Sequence, residues 1–68
     1  MADPTIPRCS RVRPGAYLFR CGEVKVDIWR GRDGLWHARE KGARWSPDPF
    51  ASLQAAKEWA YDYLVEVA

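Results

Sequence analysis

The spacing of apolar residues changes once along this chain, from every second position to every third or fourth. That change constrains the fold more than any other feature. Val24, Val26 and Ile28 alternate with Lys25, Asp27 and Trp29, which places β-branched side chains on one face of an extended strand. From Leu53 onward, Leu53, Ala56, Ala60, Tyr63, Leu64 and Val67 fall on one side of a helix, with Trp59 at its margin. Gln54, Lys57, Glu58, Asp62 and Glu66 suit its other sides. A sheet apolar on one face and a helix apolar on one side make a core most simply by stacking.

Turn residues divide the region before the helix. Tyr17 to Cys21 is a short strand candidate closed by Gly22-Glu23. Gly31-Arg32-Asp33-Gly34 interrupts the next alternation, and Asp-Gly between alternating runs is a strong hairpin signal. Leu35 to Glu40 then reads as a returning strand, with Trp36 and Ala38 on one face and Leu35, His37 and Arg39 on the other. Lys41-Gly42 turns again, Ala43-Arg44-Trp45-Ser46 is a further short strand or an irregular segment, and Pro47 and Pro49 end the sheet. Ser52 is the expected helix N-cap, without a full capping box because position 55 is Ala. Phe50, just upstream, is expected to pin the helix entrance.

Residues 1–14 hold Pro4, Pro7 and Pro14 among arginines and show no apolar period. They read as an extended Pro/Arg-rich arm, with Ile6 and Val12 as small anchors if it lies across the domain. The fold class is therefore α+β: a three-stranded antiparallel β-meander, or four-stranded if residues 43–46 join, packed on one face by a C-terminal helix. Residues 15–68 form the single β-β-β-α domain.

A chain of 68 residues needs a dense core. Its four tryptophans, three tyrosines and two phenylalanines read first as core filling. Cys9, Cys21 and the lone His37 have no metal-ligand spacing. No nucleophile–base or paired-carboxylate arrangement stands out, and the 31–34 glycines do not make a phosphate loop. The expectation is a non-enzymatic protein with no cofactor, metal or small-molecule substrate. The start Met1-Ala2-Asp3-Pro4 lacks the basic and apolar segments of a signal peptide, and no apolar run is long enough to span a membrane. Cytoplasmic placement with reduced thiols is expected.

Charge is unevenly distributed. Residues 1–47 are formally +5 and residues 48–68 are −3, a balance that suits an anionic partner for the first part. By strand parity the face away from the helix holds Lys25, Trp29, His37 and Arg39, with Arg44 a further candidate. Arg30, Arg32 and Lys41 lie at or near turns, and Arg8, Arg11 and Arg13 on the arm. Tyr61 lies off the helical stripe beside Glu58 and Asp62.

Trp36-His37-Ala38-Arg39, a turn region, and then Phe50-Ala51-Ser52-Leu53-Gln54-Ala55-Ala56 resemble a recurring layout. It occurs in the three-stranded-sheet-plus-helix DNA-binding domains at the front of phage-type integrases and in plant AP2-type domains. Small phage-encoded proteins of unknown function look similar too. The resemblance covers roughly Val24 to Tyr63. It implies that Trp36 and Ala38 face the helix while His37 and Arg39 face the major groove. Two partner classes follow. One is a protein, a host protein if the chain is phage-encoded, or a second copy of this chain. It would be bound through Lys25, Trp29, Arg30, Arg32, His37, Arg39, Arg44 and Tyr61 by an exposed tryptophan ringed by arginine, and modulated in its host's cytoplasm. The alternative is DNA, met by the basic open face and the N-terminal arm.

Overall fold

The computed structural model describes residues 6–67. Four strands, β1 (Arg8–Arg13), β2 (Ala16–Cys21), β3 (Val24–Arg30) and β4 (Trp36–Glu40), precede one helix, α1 (Leu53–Val67). The strands form one antiparallel sheet in the order β1-β2-β3-β4. The fold is α+β, as the change of period predicts, and the sheet has four strands.

The fourth strand is not the expected one. Residues 43–46 are irregular, and the added strand is Arg8–Arg13, at the opposite edge. The segment read as an arm outside the domain is, from Arg8 on, part of the sheet; residues 1–5 lie outside the described residues. Backbone pairing with β2 makes this strand, since every residue of β1 is exposed. Val12 (60% exposed) and Ile6 (53%) are accordingly not anchors. Its arginines leave an edge unattractive to further strands.

The turns follow local chemistry. Pro14 at the first corner and Gly15 at φ 80° at the second meet the demands of a type II turn. Such a turn does not match the twist of a two-residue hairpin, and the β1–β2 register shifts between Arg11 and Arg13. The β2–β3 hairpin places Gly22 at φ 62° before Glu23, the Gly-first arrangement that continues strand twist.

One face of the sheet carries Phe19, Cys21, Val26, Ile28 and Ala38, all buried against Ala56, Ala60 and Leu64 of α1. The two alanines leave no side-chain bulk between helix and sheet, so β-branched residues and Leu64 fill the layer. Ser52 caps the helix: its Oγ accepts from the Ala55 amide at 3.2 Å. Phe50 pins the entrance as expected, through paired backbone hydrogen bonds with Trp36, each 2.8 Å, along the outer edge of β4. Tyr17, Trp36, Trp59 and Tyr63 close the rim of the core.

Candidate functional site

Among the described residues no layer covers the other face of the sheet, and the register sorts its side chains into rows. Arg8 pairs with Arg20, and Arg20 with Lys25. Lys41, one residue past β4, donates its backbone N–H to the Lys25 carbonyl at 2.8 Å and so continues the row. Four cations thus cross the sheet at one end of this face. The next row runs Ser10, Leu18, Asp27, Arg39, and the third joins Ala16, Trp29 and His37. Rows lie about 7 Å apart along a strand and neighbouring strands about 4.8 Å apart. The cationic row therefore spans about 14 Å, and the aromatic row lies about 13 Å from it.

Trp29 lies flat against His37, with ring centroids 5.6 Å apart and planes 15° apart. The imidazole Nε2 sits 3.3 Å from both carboxylate oxygens of Asp33. Asp33 Oδ1 in turn accepts from the Leu35 amide at 2.9 Å, an Asx turn that shapes the β3–β4 loop. That backbone hydrogen bond, more than the neighbouring His37, holds the Asp33 carboxyl below its ordinary value. Gly31 makes room: a Cβ there would lie 2.6 Å from His37 Nε2 and 2.7 Å from Asp33 Oδ1.

A shallow groove of about 380 Å³ opens on this face, lined by Val12, Ala16, Asp27, Trp29 and Arg39 together with Arg13, Tyr17 and Ile28. Asp27 and Arg39 are direct cross-strand partners. Among the described residues, however, the acid–base pair within ion-pairing distance is His37–Asp33, and Asp27 and Arg39 are not joined.

Of the residues singled out from sequence, the fold brings Lys25, Trp29, His37 and Arg39 onto this face. Arg30 pairs with Trp36 and so belongs to the helix-facing side at the strand end. Arg32 is exposed in the β3–β4 loop. Arg44 lies in the irregular segment beyond β4, outside the sheet, because residues 43–46 form no strand. Tyr61, 46% exposed, lies on α1 in the other layer. Arg30 and Tyr61 therefore do not form one site with the open face. One contributor escaped sequence reasoning, Arg20; Arg8, expected on the arm, enters the cationic row because β1 joins β2. The parity of Tyr17 to Cys21 already places Arg20 opposite Phe19 and Cys21.

On the helix side, Trp45 is 53% exposed and meets Trp59 and Tyr63 edge-on, at 6.1 Å and 5.8 Å between ring centroids. Tyr63 donates its hydroxyl to Glu40 Oε1. That hydrogen bond first, then desolvation, raises the Tyr63 pKa above its ordinary value. The exposed Cys9 thiol is also raised, by desolvation that outweighs the opposing charge of Lys57, so it is not an activated thiolate. Among the described residues no three His, Cys, Asp or Glu converge to hold a metal ion, and no helix is long and apolar enough to cross a membrane.

No known protein family, curated protein or solved structure matches this chain.

Proposed function

We propose that this protein binds single-stranded nucleic acid on the open face of its sheet, without converting it. The cationic row carries the reading. Like charges placed directly opposite on neighbouring strands destabilise a sheet, by up to about 1 kcal/mol a pair. This chain sets Arg8 against Arg20, Arg20 against Lys25 and Lys25 against Lys41. None of the four has an ion-pair partner among the described residues. For a fold whose total stability is of order 5–15 kcal/mol, such repulsion is a substantial cost. A polyanion laid across the row turns it into binding energy.

The aromatic row favours single strands over a duplex. Trp29 exposes its indole on the same face, and an unpaired base has a free ring face to stack on it. Bases inside a duplex do not.

Fluorescence polarisation with labelled oligonucleotides tests this. Each phosphate contact on a single strand contributes about −0.7 to the slope of log affinity against log salt, so the row predicts a slope near −3. Absence of binding at about 50 mM salt, where phosphate contacts are strongest, overturns the reading.

A second reading, a protein partner, is favoured by one observation on the opposite layer. Trp45 keeps half of its surface exposed while its edge contacts fix its orientation, the makeup of an interface anchor. A partner retained by the wild-type protein and lost with Trp45→Ala supports it; a partner retained equally by both counts against it.

A further inference from the structure

The groove beside Trp29 has a chemistry more specific than the cationic row. We propose that it seats one unpaired guanine, stacked on Trp29 and read by Asp27 and Arg39; this rests on the single-strand reading above.

The first support is the state of the Asp27–Arg39 pair. Cross-strand partners carry Cβ atoms about 4.5–5.5 Å apart, within easy reach of an ion pair. Asp27 and Arg39 are such partners, both line the groove, and they are not joined to each other. A carboxylate and a guanidinium thus stand side by side at an open cleft without being bonded to each other. On a face otherwise rich in cations, Asp27 is also misplaced for phosphate binding alone. Contact with something that donates hydrogen bonds gives it a role.

The second support is the match of donors and acceptors. A carboxylate accepts two parallel hydrogen bonds, and a guanidinium donates two. Guanine offers a counterpart to each: N1–H and N2–H₂ side by side for a carboxylate, and O6 with N7 for a guanidinium. Adenine presents a bare N1 acceptor beside its amine, which a carboxylate repels. Cytosine offers the carboxylate a single amine, and thymine a single N–H between two carbonyls. Size agrees as well. The groove, about 380 Å³, is at the small end of ligand sites and suits a planar bicyclic ring better than a whole folded ligand. Its floor is apolar where the ring would lie, at Val12, Ala16 and Trp29.

The experiment compares labelled strands of about ten thymidines, a length within the usual footprint of such surfaces. One strand is all thymidine, and the others carry a single central guanine, inosine or adenine. Inosine keeps O6, N7 and N1–H but lacks the N2 amine. The guanine strand is expected to bind about tenfold more tightly than the thymidine strand, with inosine between them and adenine no better than thymidine. Asp27→Asn is expected to narrow the gap between guanine and thymidine severalfold, leaving the share that Arg39 reads, because the carboxylate that takes N1–H and N2–H₂ is gone. Asp27 is exposed, so that variant leaves the core intact, and the inosine comparison needs no variant at all. Equal, salt-sensitive binding of all four strands overturns the guanine seat and leaves the single-strand reading standing. Guanine and inosine binding equally overturns the paired N1–H and N2–H₂ contact to the carboxylate. Failure of every strand to bind at about 50 mM salt overturns both.

Discussion

Trp29 and His37 stack across the β3–β4 ladder, with ring planes only 15° apart and centroids 5.6 Å apart. Behind the imidazole stands Asp33, whose carboxylate also takes the Leu35 amide of its own loop. The hairpin loop and the exposed indole are therefore one mechanical unit. The loop acid positions the imidazole, and the imidazole supports one side of the indole.

Gly31→Ala tests that coupling. Gly31 does not have a positive φ, so alanine is conformationally acceptable there. Its methyl group nonetheless meets His37 and Asp33 well inside contact distance. Reduced freedom of the unfolded chain returns about 0.4–1 kcal/mol and offsets part of the clash, so urea midpoints should move little. The aromatic near-ultraviolet circular dichroism should change, and oligonucleotide affinity should fall severalfold. Unchanged spectrum and affinity would show that the loop does not position the platform.

Asp33 also sets an acid limb. Its carboxyl is held below an ordinary value near 3.8 in the folded protein, first by the Leu35 amide. A depressed folded pKa means that the unfolded chain takes up the proton first. The associated stability is complete above the unfolded value and is lost as pH falls through the folded one. Urea midpoints of the wild type should decline below about pH 4. Asp33→Asn should remove part of that decline, and an identical acid limb in both proteins would contradict the assignment.

How far the sequence foretold this architecture depends on whether burial or pairing makes each element. β3, β4 and α1 were legible because their apolar residues, Val26, Ile28, Ala38, Ala56, Ala60 and Leu64, are the core, and burial imposes the period. The open-face placement of Lys25, Trp29, His37 and Arg39 follows from the same parity. β1 was not legible. Its sequence RCSRVR buries nothing, and only the free edge of β2 makes it a strand. Missing that strand hid the cationic row, since Arg8 and Arg20 become neighbours only through it. Trp45 escaped for a similar reason: irregular backbone carries it to Trp59 and Tyr63, and no period marks such a contact.

Tyr63 and Glu40 tie the helix to the last strand. The hydroxyl donates to a carboxylate in a partly buried setting, so Tyr63→Phe should cost about 1–2 kcal/mol in urea unfolding at neutral pH. The raised Tyr63 pKa adds a signature. Stability from a group whose folded pKa is raised is complete below its unfolded value and lost as pH climbs through the folded one. Wild-type stability should thus fall above about pH 10, and Tyr63→Phe should flatten that limb. A variant that loses stability equally at every pH would point to packing instead of the hydrogen bond.

Arg20 is where stability and binding are set against each other. It stands in the middle of the row, opposite Arg8 on one side and Lys25 on the other. Its side chain is exposed and contributes nothing to the core. Arg20→Gln removes two repulsive contacts and retains a polar strand residue, so unfolding free energy should rise by about 0.5–1 kcal/mol. Oligonucleotide affinity should fall at the same time, for all sequences alike, because phosphate carries no base information. The salt slope should shrink by about 0.7, the share of one phosphate on a single strand. Urea titration and polarisation at several salt concentrations, on the same preparation, measure both sides. A row of ordinary solvated arginines would give neither effect, and a merely structural arginine would lose stability when replaced. Only a row held together against its own repulsion for the sake of an anion gains stability as it loses its ligand.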